Sequence, residues 1–143
     1  MNYINGLENN INEICRDCSY KDSEKCNFRK CNVGFANYVI QNIKDKSINI
    51  IEGGEYLIPK DDMRYYDERI IAGGIANTLK MCKGCNENHN EDCVIALIRR
   101  TLEYTQLKDR IAYPGNMLGY LVNLSKQKPE FGELIKQEYM NIP

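Results

Sequence analysis

Apolar residues recur at steps of three and four from the start of the chain: Ile4, Leu7, Ile11 and Ile14 share one face and predict an amphipathic helix from Tyr3 to Ile14. That helix delivers Cys15. The stretch CRDCSYKDSEKC that follows has Tyr20 as its only large apolar side chain, so it has little of its own to bury and must be ordered from elsewhere. Ser23 is a good N-cap residue, and a second helix is predicted from there to the polar Lys44, Asp45 and Lys46, with Phe28, Cys31, Phe35 and Ile40 toward the core. In SINIIEGGEYLIP, β-branched and aromatic residues flank Glu52, Gly53 and Gly54, a β-hairpin signal. A lone hairpin is marginal in water, so it is expected to lie on the helices.

Pro59 fits the first turn of a third helix, with Asp61 and Asp62 near its positive end and Ile70, Ile71, Ile75 and Leu79 as its buried face up to Cys82. Gly73 and Gly74 interrupt it, allowing a kink or a close helix contact. After KGCNENHNED, a fourth helix is expected from Glu91 to Ile111, N-capped by Asn90, with Val94, Ile98 and Leu102 along one stripe. Pro114 and Gly115 break the chain. NMLGYLVNL then reads as a short apolar helix, and Pro129 separates it from a final amphipathic segment carrying Phe131, Leu134 and Ile135.

The cysteines impose a larger order on these elements. Cys15, Cys18 and Cys26 in the first half and Cys82, Cys85 and Cys93 in the second both read C-x2-C-x7-C. Sliding the chain by 67 residues also places Phe28 on Ile95, Cys31 on Ile98, Phe35 on Leu102 and Ile40 on Leu107, an internal repeat of helix, cysteine loop and helix. The expected fold is mainly α with one β-hairpin, with two such duplicated modules plus two C-terminal helices. Residues 1–143 form a single domain: first cysteine module 3–45, hairpin 46–59, second module 60–112 and C-terminal helices 113–143.

Seven cysteines in a chain whose first residues are too polar for a signal peptide argue for a reducing compartment and for metal ligation over disulfides. C-x2-C supplies two thiolates from one tight turn, and the third cysteine must arrive from further along. If Ser23 and Asn90 are N-caps, Cys26 and Cys93 each stand at the third helical position, where free N–H groups favour a thiolate. His89 would complete the second set as C-x2-C-x3-H-x3-C with Cys82, Cys85 and Cys93; as a bland alternative it is a solvated loop histidine. In the first set the matching position is Asp22, and Cys31 is the competing fourth ligand. On one continuous helix from Ser23, Cys26 and Cys31 would point about 140° apart, so Cys31 joins only if the helix begins after Cys26; otherwise it is a core cysteine. The candidate metal ligands are therefore Cys15, Cys18, Cys26, Cys31, Cys82, Cys85, His89 and Cys93. Whether the triplets form two sites or one shared site is open at this level.

Mixed Cys and His or Asp ligation favours zinc, while cysteine triplets beside apolar helices would also hold an iron–sulfur cluster. No phosphate-binding glycine loop, H-E-x-x-H motif or Cys–His pair outside the metal frame occurs, so catalysis is not expected. No apolar run approaches membrane-spanning length, and a net charge of −1 with 27% charged residues gives no global pull toward nucleic acid or anionic lipid. The leading expectation is a cytoplasmic protein, bacterial by its Asn, Ile and Lys bias, that carries structural zinc and serves as a regulatory or adaptor module for a protein partner or a second copy of itself. Its rivals are an iron–sulfur redox or oxygen-sensing protein, and a nucleic-acid-binding regulator using Arg16, Lys21, Lys25, Arg29 and Lys30 of the basic first module.

Overall fold

The computed structural model describes residues 3–16, 18, 21, 23–24, 26–83, 92–107 and 109–143. Among these are six helices: α1 (Tyr3–Arg16), α2 (Asn32–Lys46), α3 (Glu68–Lys83), α4 (Val94–Glu103), α5 (Met117–Gln127) and α6 (Pro129–Asn141). The run Ile71–Leu79 of α3 is buried throughout, as a helix rich in Ala, Gly and Ile side chains on all faces requires. It is the central element, packed against α1, α4 and α6, while α2 lies on α4 and α1. Phe131, Ile135 and Tyr139 of α6, with Tyr120 and Leu124 of α5, close the core from the C-terminal side.

The α1–α3 contact is reciprocal. A Cβ on Gly6 would lie 2.8 Å from Asn77 Oδ1, and one on Gly73 would lie 3.0 Å from Asn10 Nδ2. Asn77 Nδ2 donates to Asn10 Oδ1 (3.0 Å) and to the Gly73 carbonyl (3.1 Å). Because the earlier residue of α1 meets the later residue of α3 and the reverse, the two helices run antiparallel. α3 continues unbroken through Gly73 and Gly74, so the glycine pair serves close approach: a Cβ on Gly74 would meet Leu102 Cδ1 at 2.9 Å. Antiparallel pairing also puts Cys15 and Cys82 at opposite ends of the pair. At 1.5 Å rise per residue they are roughly 20 Å apart, so the two triplets cannot share one metal ion.

The expected β-hairpin at 46–59 does not form, and the described residues contain no strand. Hydrogen bonds from Gly54 N to Ile51 O (2.9 Å), Tyr56 N to Gly53 O (3.1 Å) and Ile58 N to Glu55 O (3.3 Å) coil the segment instead. Gly53, at φ 69°, leads into a single 3-10 turn, Gly54–Leu57. The β-branched residues ahead of it pair elsewhere: Ile51 N donates to Asp92 O and Val94 N to Asn49 O, both at 3.0 Å, an isolated antiparallel bridge between Ile50 and Cys93.

Helix starts also differ from expectation. The second helix begins at Asn32, not near Ser23, because the described residues ahead of it close successive tight turns: Cys26 N donates to Ser23 O (3.0 Å), Asn27 Nδ2 to Glu24 O (2.8 Å) and Arg29 N to Asn27 Oδ1 (2.9 Å). The Asn27 side chain thus offers the backbone an alternative to helix. The third helix begins at Glu68, not in the Pro59 turn. Asp67 is its cap, accepting from Arg69 N (3.0 Å) and Ile70 N (3.1 Å). The fourth begins at Val94 and ends at Glu103, short of Ile111, and Asn90 lies outside the described residues. Cys26 and Cys93 therefore do not stand at a third helical position: Cys26 precedes α2 in a turn, and Cys93 is the residue before α4.

Candidate metal centres

The first cysteine set is assembled by the end of α1, two turns and the start of α2. Cys15 lies in the last turn of α1, and Cys18 N returns to its carbonyl at 3.2 Å. Lys21 N repeats this step onto Cys18 O (3.2 Å), and Cys31 N closes the Asn27 turn at 3.0 Å. Phe28 stacks on Tyr38 of α2, centroids 4.2 Å apart and rings 10° from parallel, which pins the turn before Cys31 to the helix after it. Cys31 is the N-cap of α2. Its Sγ accepts from Gly34 N at 3.3 Å. The condition for Cys31 to stand with Cys26, a helix that begins after Cys26, is met.

The Cys15 sulfur feels the other three. Burial pushes the Cys15 thiol up, and Cys31, Cys26 and Cys18 push it further, against Lys21. Charge on those sulfurs raises the cost of ionising Cys15, and a cation beside it would relieve that cost. Exposure is graded: Cys31 is buried, Cys15 and Cys18 are half-buried and Cys26 is exposed. The six described cysteines are free thiols. No three His, Cys, Asp or Glu side chains among the described residues stand close enough together to hold an ion as they lie. Ligation at this set would therefore draw the sulfurs inward.

Behind Cys31 lies a buried polar group in the segment before α3. Tyr66 Oη is 3.2 Å from Cys31 Sγ and donates a short hydrogen bond to Asp62 Oδ2. The same carboxylate oxygen accepts from Asn32 N, the first amide of α2, at 2.9 Å. Asp62 Oδ1 accepts from Arg64 N (3.1 Å) and has the Arg64 guanidinium at 3.9 Å. Burial, then the bonds to Asp62 and Cys31, hold the Tyr66 phenol far above its ordinary range, so it remains an O–H donor.

In the second set, Cys82 occupies the last turn of α3, and Cys93 is held by the bridge to Ile50. Asp92 Oδ2 also accepts from Gly53 N (3.1 Å), so the 50–54 segment buttresses the return of this loop. Cys85 and His89, like Asp22 of the first loop, lie outside the described residues. Arg99 Nη1 donates to Cys82 Sγ at 3.4 Å. The Arg99 guanidinium is 1% exposed, lies 4.3 Å from the Tyr113 ring and 5.5 Å from that of Tyr120, and pairs with Glu103 at 3.8 Å. Burial opposes its charge, but Cys82, Glu103 and Tyr120 outweigh that and hold it above its ordinary range. Arg99 Nη2 is buried with no hydrogen-bond partner.

Tyr66, Asp62 and Arg99 were missed by the sequence reading. Tyr65, Tyr66, Asp67, Glu68 and Arg69 read as surface plus one core tyrosine, which is how they lie, Tyr66 at 5% exposure and Tyr65 at 88%. Nothing in that pattern points to sulfur. For Arg99 a signal existed: a cation on the apolar stripe of the fourth helix, four residues before Glu103. No protein-family model, no curated protein and no solved structure matches this chain.

Proposed function

We propose that this is a metal-binding protein with one centre near each end of the α1–α3 pair: Cys15, Cys18, Cys26 and Cys31 at one, and Cys82, Cys85, Cys93 and His89 at the other. The observation that carries the reading is the placement of Cys31, a buried N-cap beyond the Cys26 turn that Cys15 feels together with Cys26 and Cys18. Zinc is the metal proposed, in a structural role, since closed four-ligand sites stabilise folds. Lys21, Ser23, Glu24, Cys26, Arg29 and Lys30 are exposed, so the described residues ahead of Cys31 bury little, and ligation would supply what their side chains lack. The reciprocal Gly6–Asn77 and Gly73–Asn10 contacts support the reading of the chain as a duplicated module, since each pair maps onto the other by the same 67-residue step as the cysteines.

Such a protein works by recognition, as a cytoplasmic regulatory or adaptor module for a protein partner or a second copy. Met63 and Tyr65, at 93% and 88% exposure, favour this, because they present apolar surface on the segment that backs the first centre. An iron–sulfur redox or sensing role is the second reading. What favours it is the donors aimed at sulfur, Gly34 N on Cys31 and Arg99 on Cys82, since such bonds tune cluster potentials. Elemental analysis with a visible spectrum, on protein prepared without oxygen and without a metal-binding tag, decides between them. Colourless protein with zinc supports the first reading, iron with sulfide and visible absorption supports the second, and protein with neither overturns both.

A further inference from the structure

We infer that Arg100, Arg110 and Lys60 form a docking site for an acidic segment of a partner protein, and that Glu55 fills this site in the free chain. The site uses no cysteine and needs no metal, so it goes beyond the metal reading, which elemental analysis tests separately. Glu55 Oε1 lies 2.8 Å from Arg100 Nη1 of α4 and 3.2 Å from Arg110 Nη1 of the segment between α4 and α5. Lys60 Nζ donates to the Glu55 carbonyl at 3.4 Å and stands 5.9 Å from the centre of the Tyr104 ring. Cations from three parts of the chain thus meet at one acidic residue. A carboxylate oxygen held by two guanidiniums is the arrangement in which arginines take a carboxylate that arrives from another chain.

The Glu55 side chain can leave while its turn stays. Other contacts fix the turn: Gly53 N donates to Asp92 Oδ2 at 3.1 Å, Gly54 N to Ile51 O at 2.9 Å, and Ile58 is buried at its exit. Rotation about side-chain bonds therefore carries the partly exposed carboxylate into water. Buried Arg100 keeps its place, with its Nε 3.9 Å from Glu103 Oε1, and half-exposed Arg110 faces the opening. Opposite charge makes the occupant acidic. The flank makes it a protein segment: Tyr56, 89% exposed, and the exposed Leu57 follow Glu55 on the same turn. A free anion would meet the cations and leave that apolar surface wet, whereas exposed tyrosine beside arginine is the pairing that anchors protein interfaces.

The test measures fluorescence anisotropy of a fluorescein-labelled peptide of alternating glutamate and leucine on the full chain, with its glutamine counterpart as control. The native chain should bind the glutamate peptide more weakly as salt is raised. A side chain that fills the site about nine-tenths of the time lowers apparent affinity about 10-fold, so Glu55→Gln should bind about 10-fold tighter. Glutamine still accepts from Arg100, so this variant should keep the native circular dichroism. Glu52→Gln removes the same charge from an exposed neighbour and should bind as the native chain does. Arg110→Gln should weaken binding about 5-fold. Equal tightening in Glu55→Gln and Glu52→Gln means long-range charge alone and overturns the inference. So does a glutamine peptide that binds equally, or inorganic phosphate that binds Glu55→Gln when the glutamate peptide does not. If Glu55→Gln does not fold, half-exposed Arg110 decides: weaker binding in Arg110→Gln supports the site and unchanged binding overturns it. A chain that binds the peptide neither as native protein nor as Glu55→Gln overturns the inference and leaves the metal reading untouched.

Discussion

Glu103→Gln tests the buried charge network most directly. Glu103 is 2% exposed and sits between two buried guanidiniums, with Arg99 Nε at 3.8 Å and Arg100 Nε at 3.9 Å, and it accepts from Tyr120 Oη at 2.6 Å. Glutamine keeps the volume and an acceptor for Tyr120 but removes the charge. At an effective dielectric near 20, a pair 3.8 Å apart attracts by about 4 kcal/mol. The two arginines do not suffer equally. Arg100 retains Glu55, whose Oε1 lies 2.8 Å from its Nη1, whereas Arg99 is left with Cys82 and two tyrosine rings. Removing one partner of a buried pair costs about 3–5 kcal/mol, and Arg99 places this case within that range. Against a stability of roughly 5–15 kcal/mol, the variant should fold but marginally. With a urea slope of about 2 kcal/mol/M, its unfolding midpoint by circular dichroism should fall by about 2 M. A fall of under about 0.5 M at unchanged slope would refute the reasoning and mean that the Arg99 charge is met elsewhere.

Other outcomes follow from single contacts. Glu8 is held below the ordinary carboxylate range by hydrogen bonds from Lys44 and Gln41. Its folded value is depressed, so its stabilisation is complete above about pH 4.3 and is lost as pH falls through that lower value; being partly exposed, it contributes about 0.5 kcal/mol or less. Glu8→Gln should thus melt slightly below the native chain at pH 7 and level with it near pH 2, read by thermal denaturation. Gly6→Ala gains about 1 kcal/mol of helix propensity but drives a methyl to 2.8 Å from buried Asn77 Oδ1, at about 1–3 kcal/mol for overpacking. A net loss of about 1 kcal/mol in urea unfolding is expected, and a gain would show that Asn77 moves freely. Replacing Cys82 and Cys85 by Ser together should lower both the bound-metal count and the melting temperature; a double variant that melts like the native chain removes the basis for the second centre.

The helices that the sequence revealed are those whose large apolar residues recur at helical spacing. Leu7 and Ile11 in α1, Ile71, Ile75 and Leu79 in α3, and Phe131 and Ile135 in α6 are buried as their spacing implied. The hairpin was misread because Ile50 and Ile51 are strand-like, yet their partners, Asp92 to Val94, lie some forty residues away, beyond any local signal. The start of α2 was misplaced because Ser23 is a favoured cap and cysteine is not, while Asn27 turns the chain aside between them. The cysteine frame was legible as spacing. That Cys31 stands near Cys15 was not, since it depends on where the helix starts, and Tyr66 reaches Cys31 only through the return of the chain after Pro59.

The antiparallel crossing at Asn10 and Asn77 has a thermodynamic consequence. Metal ions at the two proposed centres would lie at opposite ends of one helix pair, so each would add its own mass-action increment to stability without competing for shared ligands. Stripping one pole should fray the helix ends and turns around it while the amides near the crossing stay protected from exchange, and the far pole should keep its own protection pattern. Such a chain does not switch all at once. If both proposed centres bind metal, loss of ligand would be felt pole by pole, around a middle that stays folded.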